Sequence, residues 1–410
     1  MSKRTLRVTA AALATAVVSL VAASVGSTAQ ATKIRIWTDK DRKVAVEKVA
    51  GEWAASKGLA VEVVEKDFGK IRDDLKTVQE DTAPDVIVGA HDWIGQLAVD
   101  GSILPLNPRA ATRTQFPGFA LDAFSYGTAV KRLYGAPVVL ENIGLVVNTR
   151  LAKVPKTWAD LEKAALAFKK KKSGNLAIAV PQGTAGDAYH MYPFFSGLGG
   201  YVFGKNKVGN LDASDIGVAN AKFLANAAMI DSWNKTGLIN SKIDYGVAKD
   251  AFLKGKAAFW VTGPWESDTL KQSGLRFQIV QLPKIKYQSV PFLGVQGFMV
   301  TKFAATHGIE SAAKDLVADY MMRPAGQLAL SAANGRFPAN TLAGKQVKDN
   351  VLAQFGKAGA GGVPMPNIPQ MSAVWTELGG AWVKSTKGAG ATKARASFTT
   401  ASRNIANKIG

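Results

Sequence analysis

The sequence predicts an α/β fold built on parallel strands, and three observations carry that prediction. Short alternating or wholly apolar segments recur between longer stretches whose apolar residues fall at helical spacing. From Lys33 to Gly101 these run strand, helix, strand, helix, strand, the order that yields a parallel sheet with right-handed crossovers. Cysteine is absent, so burial of apolar surface must hold the 410 residues together, and 47% hydrophobic residues are enough for that. The length suits two to three domains, or two lobes sharing one cleft, at about 100–200 residues per domain.

Residues 1–31 read as an address. They carry Lys3, Arg4 and Arg7 and no acidic residue, then an apolar run from Val8 to Val25, then Ala29-Gln30-Ala31. This is the pattern of a signal peptide cleaved before Thr32. An uncleaved anchor is the competing reading, but abundant Ala, Thr and Ser make the run weakly apolar. No Cys follows the leader, so a lipobox anchor is not expected.

Lys33–Trp37 alternates as a strand, with Ile34 and Ile36 on one face. Val46, Val49, Ala50 and Trp53 form a helical stripe ending near Gly58. Val61 and Val63 alternate again, and Ile71, Leu75 and Val78 make the next helix. Asp85–Val88 is a short buried strand, followed by a helix through Ile94 and Leu97 that stops at Gly101. Trp37–Asp41 and Gly89–Trp93 follow two strands of one parallel sheet, so they should lie side by side where such sheets bind ligands.

A second α/β region opens near Gly144 with the strand Leu145–Val147. Thr157-x-x-Asp160 has the form of a capping box before a helix bearing Trp158, Leu161, Ala165 and Phe168. Lys169–Lys172 closes that helix where the dipole favours cations. Phe223, Leu224, Ala227 and Ile230 predict one helix, and Ala251-Phe252 ends another before Gly255. Ala257–Val261 and Phe277–Gln281 read as strands, and Ile309–Met322 as a helix. Ala358–Gly362 is a small-residue linker before Pro364-Met365-Pro366.

Composition removes several chemistries. Without Cys there are no thiolate zinc sites, iron–sulfur clusters or cysteine nucleophiles, and His91, His190 and His307 are too dispersed for a His-rich metal centre. No Walker loop, dinucleotide fingerprint or nucleophile elbow appears in the required context. No cofactor or metal is expected. The net charge of +20, or +17 after loss of the leader, is spread along the chain rather than gathered in a tract. That favours a solvated basic surface over nucleic-acid binding.

Asp39, Asp92 and Glu141 each follow a strand. Ionised carboxylates so placed accept sugar hydroxyls, and a pair of them would equally suit a glycosidase. Nine Trp residues are the second clue, because flat aromatic faces cover the apolar faces of pyranose rings. Trp265 and Trp375 sit at element boundaries; Trp53, Trp158, Trp233 and Trp260 fall at core spacing; Trp93 fits either use.

A set of strings occurs in a characteristic order: Ala90-His91-Asp92, Tyr134-Gly135-Ala136-Pro137 running to Glu141, Lys156-Thr157-Trp158, Gly199-Gly200-Tyr201, Gly263-Pro264-Trp265, Pro291-Phe292-Leu293-Gly294-Val295, and Met365-Pro366-Asn367-Ile368-Pro369-Gln370-Met371-Ser372-Ala373-Val374-Trp375. In these the chain resembles the exported maltose/maltodextrin-binding proteins, the solute receptors of carbohydrate ABC transporters. The resemblance runs from Ile34 to the C-terminal helix.

It implies a two-lobed periplasmic-binding-protein fold of type II, with mostly parallel sheets flanked by helices and a sugar cleft between lobes. By analogy the N-lobe comprises 32–140 and 296–339, and the C-lobe 141–295 and 340–410. Trp37 matches a cleft aromatic. Asp39 and Lys40 match an acid and a lysine that bond sugar hydroxyls, across a one-residue shortening. Asp92 and Glu141 match hydroxyl-binding acids, and Asp187 replaces a glutamate. Tyr189, Trp265 and Trp375 match stacking aromatics. Gly89 stands where the family has a tryptophan and Trp93 where it has an arginine; Thr376 replaces a tyrosine and Gly379 a second arginine. Trp93 is a candidate substitute platform. The implied partners are maltose or a maltodextrin and the membrane ABC permease, with the receptor a non-enzymatic, periplasmic or envelope monomer. An exported glycoside hydrolase and a polyanion-binding envelope protein are the alternatives.

Overall fold

The structure, a computed structural model, describes residues 32–127 and 130–410. The leader reading lies outside the described residues. Residues 32–410 form one compact unit, organised around two sheets.

The larger sheet opens with β1 (Lys33–Thr38), passes through α1 (Lys40–Ser56) to β2 (Ala60–Glu65), and through α2 (Ile71–Thr77) to β3 (Val86–Ala90). Both β2 and β3 pair with β1 in parallel, as the βαβ order requires. Helix α3 (Ile94–Val99) follows. Chain returns from the distant half complete this sheet. β4 (Ala136–Glu141) leads directly into β5 (Gly144–Asn148), which belongs to the smaller sheet.

The smaller sheet consists of β5, β6 (Phe259–Thr262) and β7 (Phe277–Val280), with β5 central and both pairings antiparallel. β8 (Phe292–Val300) then re-enters the larger sheet between β3 and β4, antiparallel to each. β9 (Phe337–Pro338) extends the edge beside β4, and β10 (Val363–Pro364) runs parallel to the start of β8. The α/β class stands, but among these strands parallel pairing is confined to the β1–β2–β3 block and the short β8–β10 contact, and the other pairings are antiparallel. Sequence order identifies βαβ units; it does not reveal strands that arrive from the other half of the chain with their direction reversed.

The helices follow their sequence signals closely. Thr157 and Asp160 form the reciprocal capping box at the head of α4 (Trp158–Lys171). Asp187 caps α5 (Ala188–Gly197) by accepting from the His190 amide. The single helix expected across 223–230 is two, α6 (Ala221–Asn226) and α7 (Ala228–Thr236), broken at Ala227. The apolar stripe is continuous through the break, so periodicity alone does not register it. Asp244 caps α8 (Tyr245–Leu253), and α9 (Pro324–Asn334) packs on α1. The predicted helix over 309–322 begins as Glu310–Lys314 and continues as a π-helical segment, Asp315–Tyr320. α10 (Asn350–Ala358) precedes the crossing segment, and α11 (Ser372–Thr386) and α12 (Ala394–Ile409) pair at the C-terminus.

The crossing segment is fixed by backbone contacts. Asn367 Nδ2 lies 3.0 Å from each of the carbonyls of Asp122, Ala123 and Ser125, so its two N–H groups are shared among three acceptors. Gly95 lies against it so closely that a Cβ there would come 2.4 Å from the Asn367 carbonyl. His91 is wholly buried and ties the same region together. Its Nε2–H donates to the Met365 carbonyl at 3.0 Å, while Nδ1 accepts from the Val295 amide at 3.1 Å. Burial pushes the His91 pKa down, consistent with that neutral tautomer.

Candidate ligand-binding cleft

A cavity of about 930 Å³ opens beyond the ends of β1 and β3, near the top of the usual range of roughly 300–1,000 Å³ for small-molecule pockets. One wall carries Asp39, Arg42, Phe68, Arg72, Asp92 and Trp93. The facing wall carries Asp187, Tyr189, His190, Tyr245, Trp265 and Trp375. Glu141, Gln296 and Arg336 also line it, Glu141 standing where the chain leaves β4 for the smaller sheet.

On the first wall Asp39 caps α1, accepting from the Asp41 amide at 3.0 Å, and pairs with the buried guanidinium of Arg42 one turn on. Asp92 follows β3, and its Oδ2 accepts the indole N–H of Trp375 at 2.9 Å, a bond across the cleft. Burial pushes the Asp92 carboxyl above its ordinary range, with the His91 and Trp375 contacts pulling the other way. The Trp93 ring lies over Gly89: a Cβ on residue 89 would come 2.1 Å from it. Phe68 extends this aromatic surface, its centroid 5.0 Å from that of Trp93 at 38°. The Trp93 ring thus occupies the space that a side chain at 89 would fill.

On the facing wall Trp265 and Tyr189 stand 6.3 Å apart. Trp265 donates its indole N–H to Tyr245, whose hydroxyl donates to Glu266 Oε1 at 2.7 Å. These bonds fix the indole plane. His190 donates from Nδ1 to Asp187 Oδ2 at 2.6 Å. Burial would raise the Asp187 pKa, but the His190 charge and bonds and the Tyr189 amide outweigh it and hold the carboxyl below its ordinary value. Burial, reinforced by the charge of Glu141, pushes the Tyr189 phenol well above its ordinary value, so it stays a donor. Between the walls Glu141 accepts from Gln296 Nε2 at 2.8 Å and from Arg336 Nε at 3.3 Å.

Four buried polar atoms on cleft residues have no protein partner among the described residues: Arg42 Nε, Tyr189 Oη, His190 Nε2 and Gln296 Oε1. Buried polar groups are nearly always bonded in folded proteins. Their concentration here leaves hydrogen-bonding capacity directed at a polar ligand. Among the described residues no group of three or more acidic or His side chains could hold a metal ion.

The cleft brings together Asp39, Asp92, Trp93, Glu141, Asp187, Tyr189, Trp265 and Trp375 from the sequence reading. Trp37 and Lys40 fall outside it, which corrects their expected placement. Trp37 is 3% exposed, and the Lys66 ammonium covers its ring at 4.1 Å. Lys40 is exposed at the start of α1, where the helical turn directs Arg42 to the cavity instead. Arg42, Phe68, His190, Tyr245 and Arg336 escaped sequence reasoning. Arg42 alone had a legible signal, its i+3 spacing from Asp39 at a helix start. Of the departures, Thr376 lines the cleft, whereas Gly379 packs against Gly186, whose Cβ would come 2.2 Å from the Gly379 carbonyl.

A two-lobed α/β chain with an aromatic and carboxylate cleft between its sheets has the form of a solute receptor. The family model described as bacterial extracellular solute-binding protein matches residues 48–354, and this chain belongs to that family. The maltodextrin-binding protein MdxE of Bacillus subtilis is 30% identical over 84% of this chain and 82% of its own length. A maltooligosaccharide ABC transporter solute-binding lipoprotein of Streptococcus pneumoniae is 28% identical over 84% of this chain and 81% of its own. The structure of a Thermus thermophilus maltotriose-binding protein with maltotriose superposes with a TM-score of 0.80 at 28% identity, covering 92% of this chain and all of that one.

Proposed function

We propose that this protein is an exported receptor for maltose or a longer maltodextrin, which it holds in the cleft and delivers to a membrane ABC permease. The observation that carries the reading is the pairing of aromatic faces on opposite walls, Trp93 with Phe68 against Trp265 with Tyr189, interleaved with carboxylates and unpartnered buried polar atoms. Aromatic planes take the apolar faces of glucose rings, and the acids take the hydroxyls at their edges. The names of the relatives support the ligand class and the transporter partner.

In this reading the ligand contacts are Asp39, Asp92, Trp93, Glu141, Asp187, Tyr189, Trp265 and Trp375. The lobes exchange chain near 140/141, 295/296 and 339/340. Support comes from β4 and β5, consecutive strands in different sheets, and from the return of β8. Sugar touching both walls favours the closed arrangement by its differential affinity for that state. The cleft acids bind rather than catalyse. Asp92, the one with a raised pKa, is engaged by Trp375, whereas a glycosidase acid must be free to meet the leaving oxygen.

Tryptophan fluorescence titration with maltose, maltotriose, a cyclodextrin, trehalose and a β-galactooligosaccharide tests the ligand class. Saturable change with an α-1,4-glucan is expected, and no release of chromophore from a nitrophenyl α-glucoside. Response to none of the α-glucans, or steady turnover of the glucoside, contradicts the reading.

A further inference from the structure

Lysines that stand apart in the sequence meet on one face of the fold. Lys169–Lys172 end α4, Lys235 lies in the last turn of α7, and Lys387 and Lys393 bound the loop between α11 and α12. Three contacts join these elements. Lys169 donates from Nζ to the Thr236 and Gly237 carbonyls at 2.9 and 3.3 Å. Asn234 accepts the Gly388 amide at 2.8 Å and donates from Nδ2 to the Gly388 carbonyl at 3.2 Å. The Lys393 ammonium stands 3.8 Å from Asp231 Oδ2.

Helix ends account for part of this charge, because cations are favoured beside the last carbonyls of a helix. Lys169 has that role at the end of α7. The remaining lysines exceed it. Lys170, Lys171, Lys172, Lys235 and Lys387 are exposed and, unlike Lys393, form no ion pair among the described residues. Between α7 and the loop lies a cavity of about 320 Å³ lined by Ser232, Lys235, Thr392 and Lys393. Asp231 also lines it, but its Oδ1 accepts the Ala394 amide at 2.9 Å, and its Oδ2 faces Lys393. No large apolar side chain is exposed on α4, on α7 or between 387 and 393. Such a face has no group to insert into hydrocarbon and no aromatic platform on which a nucleobase could stack. These cations are lysines, compact point charges that suit a diffuse array of phosphates better than bidentate docking on one of them.

We propose that this face binds the surface of an anionic phospholipid bilayer and holds the receptor beside the membrane that carries its permease. The purpose of the contact rests on the exported-receptor reading above, to which it adds a lipid partner. Each lysine close to an anionic bilayer strengthens partitioning about fivefold, so several acting together suffice without an inserted anchor. None of these lysines lines the cleft, so lipid contact and sugar binding use different groups.

Co-sedimentation of the full mature chain with vesicles tests it, mixed phosphatidylglycerol–phosphatidylcholine against phosphatidylcholine alone. One variant combines Lys170→Gln, Lys171→Gln and Lys172→Gln; a second combines Lys235→Gln and Lys387→Gln. A charge-matched control combines Lys48→Gln, Lys345→Gln and Lys348→Gln, exposed lysines on α1 and beyond β9, beside the larger sheet. Glutamine removes charge without placing an acid at a helix C-terminus. Wild type should sediment with the mixed vesicles and not with phosphatidylcholine. The first variant should partition about a hundredfold more weakly, the second more than about tenfold, and the control within about threefold of wild type. No binding to the mixed vesicles, an equal loss in the control and the two face variants, or binding to soluble polyphosphate with none to vesicles overturns the proposal. Calorimetric titration of the same variants with maltotriose should match wild type. Absence of sugar heat with the vesicle pattern intact contradicts the receptor reading alone and leaves the lipid-binding face standing.

Discussion

At the residue scale, the cleft depends on side chains whose orientation is fixed by others. Trp265 is held by Tyr245, which is held by Glu266, and Glu266 lies 2.8 Å from Lys249. Loss of a buried platform costs more than its area because the bonded groups beneath it lose their partner. Trp265→Ala and Glu141→Ala should each weaken maltotriose binding more than about tenfold, a cost of about 1.4 kcal/mol or more, as fluorescence or calorimetric titration reads directly. Two histidines, His91 beside Asp92 and His307 beside Asp85, give a pH signature. Burial lowers the His91 pKa, so the unfolded chain binds the extra proton, and stability falls as pH drops below the ordinary value of 6.5. For His307, burial lowers the pKa, but bonds to Asp85 at 2.6 Å and the Glu80 carbonyl at 2.8 Å outweigh it and raise it above 6.5. Its contribution is full below 6.5 and is lost as pH rises through the folded value. The gap in melting temperature between wild type and His307→Gln should therefore be wider at pH 6 than at pH 8; a gap that widens with pH contradicts the assignment. Legibility at this scale was uneven. Carboxylates after strands and tryptophans at boundaries stand out in a sequence. A buried Arg336 reads like any surface charge, and Trp37 at a strand end gives no sign that Lys66 will cover it.

At the scale of elements, the segments with strong local signals formed where the sequence placed them: the βαβ run from Lys33 to Ala90, the Thr157 box, and the Asp-capped helices. What sequence could not reveal was non-local. The smaller sheet is antiparallel because β6 and β7 both come back to β5 from later in the chain, and β8 inserts between β3 and β4 after crossing from that sheet. The Met365–Trp375 motif acquires a physical role from such crossings. Asn367 shares its amide among three carbonyls, Met365 accepts from His91, and Gly95 leaves room for the backbone from Asn367 to Pro369. Asn367→Asp replaces those donors with a carboxylate facing carbonyl oxygens. It should cost about 3 kcal/mol of unfolding free energy, measured by urea titration, and Asn367→Ala less. A neutral Asn367→Asp would mean that the staple contributes nothing.

At the scale of the whole molecule, one chain crosses repeatedly between two sheets and leaves the ligand cleft at the crossing. Closure around a saccharide should reduce the radius of gyration in small-angle scattering when maltotriose is added, and lobes that stay fixed would show no change. The net charge of +20 is distributed over the sequence, while the cleft carries Asp39, Asp41, Asp73, Asp92, Glu141, Asp187 and Glu266 against Arg42, Arg72, Lys249 and Arg336. The basic surface and the ligand site are thus separate features. A neutral sugar held by short hydrogen bonds and ring contacts should be indifferent to ionic strength, whereas polyanion binding to the surface falls steeply with salt. Calorimetric titration of the mature protein with maltotriose at low and high salt separates sugar binding in the cleft from polyanion binding at the surface. One-site saturation with the same affinity in both is expected. No saturable heat, or an affinity that collapses with added salt, would contradict it.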